Sequence, residues 1–440
     1  MTERGINPAK GHLKILHPVS CIVHPIAQIT HLPSKRPHPT SQISNQETAL
    51  LLSSTQNFAK LTYSKPVLSF GLVPSLIYLT MSVFSEITHF GHEQILFCSD
   101  KKTGLRAIIA IHDTTLGPAL GGTRMWNYAT DEHALTDVLR LSRGMTYKAA
   151  VSGLNLGGGK AVILGNPNSD KSDDLLRAYG RFVETLNGRY ITAEDVGTNV
   201  HDMEVIQQET RHVTGIDQAF KDHGDPSPLT ALGVYFGIKA CMKQSTGNDS
   251  LAGKKIAIQG AGNVATALCN FLKKEGAILS VTDIYPHKAE SLAATTGATL
   301  VQPHEIFEVD ADVFCPCALG AILNDKTIPE LKAKIVAGAA NNQLADENIH
   351  GEMLIHHGVL YAPDYVINAG GLISVANQLD HKSYDAAKKQ IAGIYDTLTN
   401  IFKIATQRTI PTHLAANHLA EERLAAGASR TKGKIAFSGQ

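Results

Sequence analysis

From residue 81 onward, apolar and polar positions follow two alternating periods, those of strands and of helices. Short apolar runs predict buried strands at 105–111, 255–259, 277–282, 311–315, 334–337 and 366–368. Apolar positions at helical spacing predict helices over 132–141, with Asp131 near the start, and from Val264 to about Gly276. Strands that alternate with helices indicate an α/β fold with mostly parallel sheets.

Residues 1–80 have a different pattern, in which prolines, serines and threonines interrupt every regular period. They hold seven Lys or Arg against two Glu, and the apolar run 67–79 is too short to span a bilayer. Such a segment does not readily bury enough apolar surface to offset its ordering entropy. Three interpretations stay open: a transit-type leader, a secretory signal, or translation that begins at Met81. We favour the last, because regular patterning begins at residue 85.

The composition is that of a globular protein, with 43% hydrophobic and 18% charged residues. Forty basic and forty acidic residues cancel, which argues against a nucleic-acid or membrane partner. The six cysteines form no CxxC pair and no His/Cys spacing that suits zinc, so we predict no metal site and interpret Cys315 and Cys317 as small core residues. Scattered free thiols in a chain of this size fit a cytoplasmic location.

A glycine-rich turn follows the predicted strand 255–259 and has the form GxGxxA. Gly260 permits a tight turn, Gly262 lets the backbone approach a pyrophosphate, and Ala265 lets the next helix pack close to the sheet. Asp283, at the end of the following strand, can bind the adenosine ribose hydroxyls, and its charge would repel a 2′-phosphate. The pattern therefore predicts NAD rather than NADP. A glycine turn in another parallel-sheet protein is the alternative.

Small or amide residues follow the later predicted strands, at Ala318-Leu319-Gly320, Asn341-Asn342 and Asn368-Ala369-Gly370-Gly371. In an open parallel sheet, ligands bind beyond the carboxyl ends of the strands. We therefore expect these turns to surround the nicotinamide and its ribose, with ordinary helix caps and turns as the alternative.

Charged residues lie among glycines in three upstream segments, 143–148, 154–160 and 192–197. The glycine run before Lys160 does not have the spacing of a phosphate-binding Walker loop. A lysine in a desolvated place has a pKa below its ordinary value of about 10.4, and it can then act as a base. A second lysine nearby would lower this pKa further and could hold a carboxylate. Each lysine taken alone could also be a solvated surface residue.

Five segments resemble the Glu/Leu/Phe/Val dehydrogenase family, and within it the branch that acts on leucine. They are GGTRMW (121–126), RGMTYK (143–148), GLNLGGGKAVI (153–163), NGRYITAEDVG (187–197) and YAPDYVINAGG (361–371). The resemblance covers essentially all of 81–435 and none of 1–80. It implies oxidative deamination of an amino acid to a 2-oxo acid and ammonia, with NAD as the cofactor. Lys160 would be the catalytic lysine, Lys148 would hold the substrate carboxylate, and Asp195 would relay protons.

The resemblance also implies the remaining site residues. On the substrate side these are Leu120, Gly121, Met145, Ala193, Leu372 and Val375. On the cofactor side they are Gly260, Gly262, Asn263, Val264, Asp283, Thr230, Ala318, Asn341 and Asn368.

The side-chain pocket implied by the family maps onto apolar residues, namely Leu120, Ala193, Leu372 and Val375. A glutamate side chain would enter such a pocket unpaired, at a cost of several kcal/mol. The phenylalanine-specific branch departs from the TAEDVG segment, which disfavours it. Leucine, isoleucine and valine differ only in the number or position of methylene groups. Each such difference contributes about 1–3 kcal/mol to an enzyme's discrimination between substrates. The resemblance implies Val at the position of Leu372, and the extra methylene of Leu372 leaves the choice among these three substrates open.

Two other classes of function compete with this interpretation. A nucleotide-binding homologue without chemistry would have been indicated by loss of Lys160 or Asp195, and both are present. A 2-hydroxy-acid dehydrogenase would use a His/carboxylate pair close to an arginine, and no histidine here lies in a comparable motif.

We expect two domains around a cleft. Residues 81–215, with a returning C-terminal helix at 411–435, would form the substrate and oligomerisation domain. Residues 216–410 would form a doubly wound, Rossmann-type NAD domain, with hinges near 225–228 and 411. The family resemblance further implies a homo-oligomer, an octamer.

Overall fold

The computed structural model describes residues 83–216 and 225–437, with side chains up to 429. The predicted extension at 1–80 and the predicted start at Met81 lie outside this range. Within it, no helix is both long and apolar enough to cross a membrane.

The first half of the described chain builds a five-stranded mixed sheet. Its strands are β1 Gln94–Asp100, β2 Leu105–Asp113, β3 Ala119–Trp126, β4 Gly157–Leu164 and β5 Tyr190–Glu194. Its helices are α1 Val83–Phe90, α2 Asp131–Val151, α3 Asp173–Thr185 and α4 Val200–Gln207. The strand order is β1-β2-β4-β3-β5. Strands β3, β4 and β5 are parallel, whereas β2 is antiparallel to both of its neighbours.

Strand β2 is apolar along almost its whole length because both faces of this sheet are covered. Ile108 and Ala110 belong to the apolar cluster that includes Val138 and Leu139 of α2. The alternate residues of β2 belong to the cluster on the opposite face, which contains Leu176 and other residues of α3. The continuous apolar run in the sequence is thus the mark of a strand between two layers of helices.

Helix α2 is longer than predicted and includes the segment 143–148. It begins after Thr130, whose side chain accepts a hydrogen bond from the His133 amide, and it ends at Val151. Its single internal glycine, Gly144, costs only about 1 kcal/mol relative to alanine. Burial of the last three helical residues, 149–151, favours continuation of the helix beyond the predicted end at 141.

The second half of the described chain builds a parallel six-stranded sheet. Its strands are β6 Lys255–Gln259, β7 Ile278–Thr282, β8 Thr299–Leu300, β9 Val313–Pro316, β10 Ile335–Val336 and β11 Leu360–Tyr361. Its helices are α5 Ser227–Thr246, α6 Asn263–Lys274, α7 Pro286–Thr296, α8 Thr327–Glu330, α9 Glu347–His356, α10 Asp364–Ile367, α11 Gly370–Leu379, α12 Tyr384–Ala392 and α13 Ile394–Arg408.

The strand order of this sheet is β11-β10-β9-β6-β7-β8. Read from β8, the chain order is 3-2-1-4-5-6, which is the doubly wound arrangement of dinucleotide-binding sheets. The order reverses between β6 and β9, and ligands of such sheets bind beyond the carboxyl ends of strands at this point. The predicted α/β fold with a Rossmann-type sheet is confirmed.

One predicted strand is wrong. Residues 366–368 lie in α10 and at its end, and the sheet is completed instead by β11 at Leu360–Tyr361. Pro363 separates the two elements, and its carbonyl accepts hydrogen bonds from the amides of Val366 and Ile367. A short apolar run does not distinguish a strand from a buried helical turn, and the proline decides between them here.

The final helix, α14 Thr412–Phe437, packs against the first half of the fold. Arg423 donates from its Nη1 to the carbonyl oxygens of Ala149 (3.2 Å) and Ala150 (2.8 Å), near the C-terminus of α2. A cation placed at the unpaired carbonyls of a helix stabilises that end. The domain limits at 215/216 and 410/411 stay predictions, since residues 217–224 lie outside the described part of the chain.

The glycine run of β4 determines how closely α2 approaches the sheet. A Cβ at Gly158 would lie 2.1 Å from both the amide nitrogen and the Oγ1 of Thr146 in α2. A Cβ at Gly159 would lie 2.6 Å from the ring of Tyr190. These glycines are therefore strand residues that admit a neighbouring helix and a ring.

We expect Gly158→Ala to lower the free energy of unfolding by about 1–3 kcal/mol, because backbone atoms of α2 would have to move. Gly144→Ala is the matched control, since a Cβ there meets no atom within 4 Å. This control should stabilise α2 by about 0.5–1 kcal/mol. Thermal midpoints at one fixed protein concentration would measure both effects. An unchanged midpoint for Gly158→Ala would show that the contact is not tight.

Candidate active site

Lys160 and Asp195 form an ion pair in the first sheet. Lys160 lies on β4 and is 6% exposed, and Asp195 follows the end of β5. The Nζ of Lys160 lies 3.0 Å from Oδ2 of Asp195. Strand β3 runs between β4 and β5, and a Cβ at Gly122 of β3 would lie only 2.9 Å from the Cβ of Asp195. The two reactive side chains can therefore meet because β3 has no side chain at this point.

Burial and charge act in opposite directions on this pair. Burial lowers the pKa of Lys160, and the adjacent Asp195 carboxylate opposes that effect without cancelling it. Burial raises the pKa of Asp195, but Lys160 and Arg124 outweigh it and hold this pKa below its usual value. The result is an ionised carboxylate beside a lysine that loses its proton more readily than a lysine in water.

Lys148 connects the two sheets. It lies on α2, and its Nζ donates to Oδ1 of Asn368 at 2.6 Å. The Nδ2 of Asn368 donates in turn to Oδ1 of Asn341 at 2.7 Å. Burial, with a smaller contribution from Lys160, lowers the pKa of Lys148 to about 8, although Asp364 opposes this shift. A predicted substrate residue is thus hydrogen-bonded to one predicted cofactor residue, Asn368, and is linked through it to a second, Asn341.

The predicted substrate-side residues lie on four elements around this connection. Leu120 is buried on β3, and Ala193 lies on β5. Leu372 and Val375 lie on α11, and both pack against the same apolar cluster that contains Leu120. Ala193 is not part of that cluster. The remaining two are Gly121, which is buried on β3, and Met145, which lies on α2.

The GxGxxA turn has the geometry of a pyrophosphate site. Gly260 has φ +107°, a backbone conformation that residues other than glycine rarely adopt. A Cβ at Gly262 would meet no atom within 4 Å, so this side of the turn is open to a ligand. Asn263 and Val264 begin α6, whose first amides favour an anion, and Ala265 is a buried residue of the same helix. These residues fit a dinucleotide.

The other predicted cofactor residues surround this turn and the inter-sheet connection. Oδ2 of Asp283 accepts a hydrogen bond from the Ala261 amide at 2.8 Å. The Cβ of Ala318 lies 3.1 Å from a Cβ built at Gly260. Thr230, in the first turn of α5, would contact a Cβ at Gly371 with its Oγ1, and it therefore lies beside the N-terminus of α11.

Four further charged or polar residues belong to this site and were not predicted from the sequence. Arg124 contacts Asp195, Asp137 contacts Arg124, and Tyr128 donates to Asp137. Asp364 interacts with Lys148 and accepts the Gln343 amide. Arg124 and Asp364 lie inside segments 121–126 and 361–371, so a charge within a small-residue strand or beside a proline was a usable signal. Asp137 looked like an ordinary exposed position of a helix.

The cysteines carry no metal site in the described residues, where no group of three His, Cys, Asp or Glu could hold an ion. The Sγ atoms of Cys315 and Cys317 lie 3.6 Å apart, and the described cysteines are free thiols.

Comparison with known proteins shows similarity over both halves of the described fold. The family model "Glu/Leu/Phe/Val dehydrogenase, dimerisation domain" matches residues 92–212. The model "Glutamate/Leucine/Phenylalanine/Valine dehydrogenase" matches residues 225–287 and 285–433.

Three similar proteins act on different amino acids by name. Leucine dehydrogenase of Thermoactinomyces intermedius is 56% identical over 344 residues, which cover 78% of this chain and 94% of that protein. Phenylalanine dehydrogenase of Bacillus thermotolerans is 47% identical and covers 79% of this chain and 94% of its own. The crystal structure of L-tryptophan dehydrogenase from Nostoc punctiforme is 51% identical, has a TM-score of 0.71, and covers 79% of this chain and 99% of that one.

Two models of one family together match most of the described chain, and relatives above 50% identity cover most of the whole chain. These relatives support an oxidoreductase activity on amino acids with a nicotinamide cofactor. The chain therefore belongs to the Glu/Leu/Phe/Val dehydrogenase family.

Proposed function

We propose that this protein is an NAD-dependent dehydrogenase that oxidatively deaminates a branched-chain L-amino acid, such as leucine, valine or isoleucine. The products would be the 2-oxo acid, ammonia and NADH. The observation that carries the proposal is the pairing of Lys160 with Asp195 beside Lys148, which is itself hydrogen-bonded to Asn368. This arrangement supplies a cation for the substrate carboxylate and an acid–base pair.

Each of these groups has a distinct task in the proposed reaction. When bound beside the GxGxxA turn, NAD⁺ would supply the acceptor for the hydride of the substrate Cα. Lys148 binds the substrate carboxylate and orients Cα. Lys160, whose lowered pKa makes its neutral form accessible, takes a proton from the water that attacks the iminium carbon. Asp195 accepts and returns protons as ammonia leaves.

The choice of NAD rests on Asp283 and the open turn at Gly262. The Asp283 carboxylate lies against the Ala261 amide at the carboxyl end of β7, where an adenosine ribose would bind. A 2′-phosphate placed there would face a negative charge. This supports NAD over NADP.

The choice of side chain rests on the apolar residues Leu120, Ala193, Leu372 and Val375. They offer no cation to a glutamate side chain. They do not by themselves exclude an aromatic ring, and the similarity to a tryptophan dehydrogenase and a phenylalanine dehydrogenase favours aromatic amino acids as the second candidate. A non-catalytic nucleotide-binding homologue is a weaker alternative, because Lys160 and Asp195 are both in place.

The oligomeric state and the cellular location of the protein are two further parts of this proposal. The match of residues 92–212 to a dimerisation domain supports a homo-oligomer, and an octamer is our proposal from the family resemblance. The free cysteines support our proposal of a cytoplasmic location.

Lys160→Ala should lower kcat for leucine oxidation by at least about a hundredfold, because the general base is lost. NADH binding, measured by fluorescence, should be unchanged. Lys388→Ala, which alters an exposed lysine paired with Asp385, is the control and should retain wild-type turnover. Near-normal turnover by the Lys160 variant would disprove the role assigned to it.

A panel of Leu, Ile, Val, Phe, Trp and Glu should separate the candidate substrates by initial rates of NADH formation. We expect the branched-chain amino acids to have kcat/KM at least about tenfold above Phe and Trp. Glutamate should lie roughly a thousandfold below leucine, since its distal carboxylate would be buried unpaired. Highest efficiency with Phe or Trp would overturn the branched-chain assignment and leave the dehydrogenase assignment intact.

Asp283→Ser should narrow the preference for NAD⁺ over NADP⁺, since the charge that repels the 2′-phosphate is removed. We expect kcat/KM of the wild-type protein to be at least about tenfold higher with NAD⁺ than with NADP⁺. In the variant, the ratio of these two values should fall severalfold. Equal efficiency of the two cofactors with the wild-type protein would contradict the role of Asp283.

A further inference from the structure

Two cations share one oxygen of Asp195. The Nε of Arg124 lies 2.9 Å from Oδ2, and the Nζ of Lys160 lies 3.0 Å from the same atom. Among the described residues, neither cation donates a hydrogen bond to Oδ1. The closest contacts of both cations are therefore with one oxygen, and Oδ1 is available to accept a hydrogen bond from a further partner.

Arg124 is itself held from the opposite side. Its Nη1 lies 2.9 Å from Oδ2 of Asp137 on α2, and the hydroxyl of Tyr128 donates to the same Asp137 oxygen at 2.6 Å. Three-quarters of the Arg124 side chain is shielded from solvent, with 23% exposed. A planar guanidinium between two carboxylates has a defined orientation, and such ionic hydrogen bonds are stronger than neutral ones.

The backbone on either side of Asp195 is tied to β3, the strand that carries Arg124. The Asp195 amide donates to Oγ1 of Thr198, and this hydroxyl donates to the carbonyl of Thr123 at 2.8 Å. The Met125 amide donates to the carbonyl of Val196 at 2.9 Å. These hydrogen bonds fix the position of the Asp195 main chain, and Arg124 contacts the carboxylate at the end of its side chain.

We propose that Arg124 is a positioning residue for the deamination: it holds Asp195 by Oδ2 beside Lys160 and leaves Oδ1 free for the substrate amino group. Asp137 and Tyr128 hold Arg124 in this orientation. The proposal rests on the proposed function, because it concerns how Asp195 binds the amino group of an amino-acid substrate.

The charge of Arg124 also acts on the proton equilibrium of the pair. It favours the neutral form of Lys160 and the ionised form of Asp195. Other titratable groups that face the pair are Asp137 and Lys148 on α2, Tyr128 before α2, and Tyr190 on β5. With Arg124 removed, the pKa of Lys160 should rise, and the neutral base should appear only at higher pH.

Two substitutions separate charge from geometry. Arg124→Gln removes both, and we expect kcat to fall by about tenfold to a hundredfold and the acidic limb of the kcat–pH profile to move to higher pH. Arg124→Lys keeps the charge and loses the planar fork, so kcat should fall less and the acidic limb should stay in place. KM for NAD⁺ should be unchanged in both.

Arg106→Gln is the matched control. Arg106 lies on β2 of the same sheet and pairs with Asp131, and both of these side chains are more than half exposed. This variant should match the wild-type profile. A change of the same size in Arg106→Gln would mean that loss of any arginine from the sheet disturbs turnover.

A second readout does not depend on turnover. Acetylation of Lys160 by acetic anhydride, followed by mass spectrometry across a pH series, measures the pKa of Lys160 in the ligand-free protein. We expect this pKa to be higher in Arg124→Gln than in the wild type and similar in Arg124→Lys.

The outcomes distinguish the two proposals. A wild-type protein that oxidises no amino acid overturns the proposed function. An active wild type, with Arg124→Gln unchanged in kcat, pH profile and Lys160 acetylation, overturns the role of Arg124. If Arg124→Gln does not fold, Arg124→Lys and Tyr128→Phe carry the test, and wild-type kcat in both would overturn the proposal.

Discussion

The buried ion pair between Lys160 and Asp195 is the contact around which the first sheet is arranged. Lys160 lies on β4 and Asp195 directly follows β5, and these two strands are not neighbours, so the side chains must meet across β3. Gly122 leaves that path open, and the glycines of β4 let α2 lie close enough to bring Lys148 near the same place. A charged pair shielded from water is costly unless each member is well partnered, and the glycine-rich strands are the means by which this partnering is achieved.

The two sheets meet through polar groups at the site rather than through apolar surface alone. Lys148 of α2, which packs on the first sheet, is hydrogen-bonded to Asn368, and Asn368 is hydrogen-bonded to Asn341 at the carboxyl end of the second sheet. A substrate carboxylate that binds Lys148 would compete with Asn368 for its protons. Binding of substrate and the arrangement of the nicotinamide-side residues would then be coupled through one asparagine.

The sequence predicts those features that depend on local geometry. The turn at Gly260 could be predicted because a positive φ and a close helix require particular residue types in a fixed order. The position of the last strand could not, because an apolar run beside Pro363 suits either a strand or a helical turn. Arg124 and Asp137 were missed for a different reason. Their contact, and the contact of Arg124 with a carboxylate 71 residues further on, exist only after the sheet and α2 have packed together.

The return of α14 to the first half of the fold has a mechanical consequence. The chain passes from one sheet to the other twice, once between α4 and α5 and again between α13 and α14. Two covalent connections define a line, so a hinge motion of one sheet relative to the other would turn about that line and would be restricted in other directions. The contact of Arg423 with the end of α2 fastens one of these crossings to the helix that carries Lys148. In the two-domain arrangement that we propose, the path of the chain would therefore guide how the two halves close around a ligand.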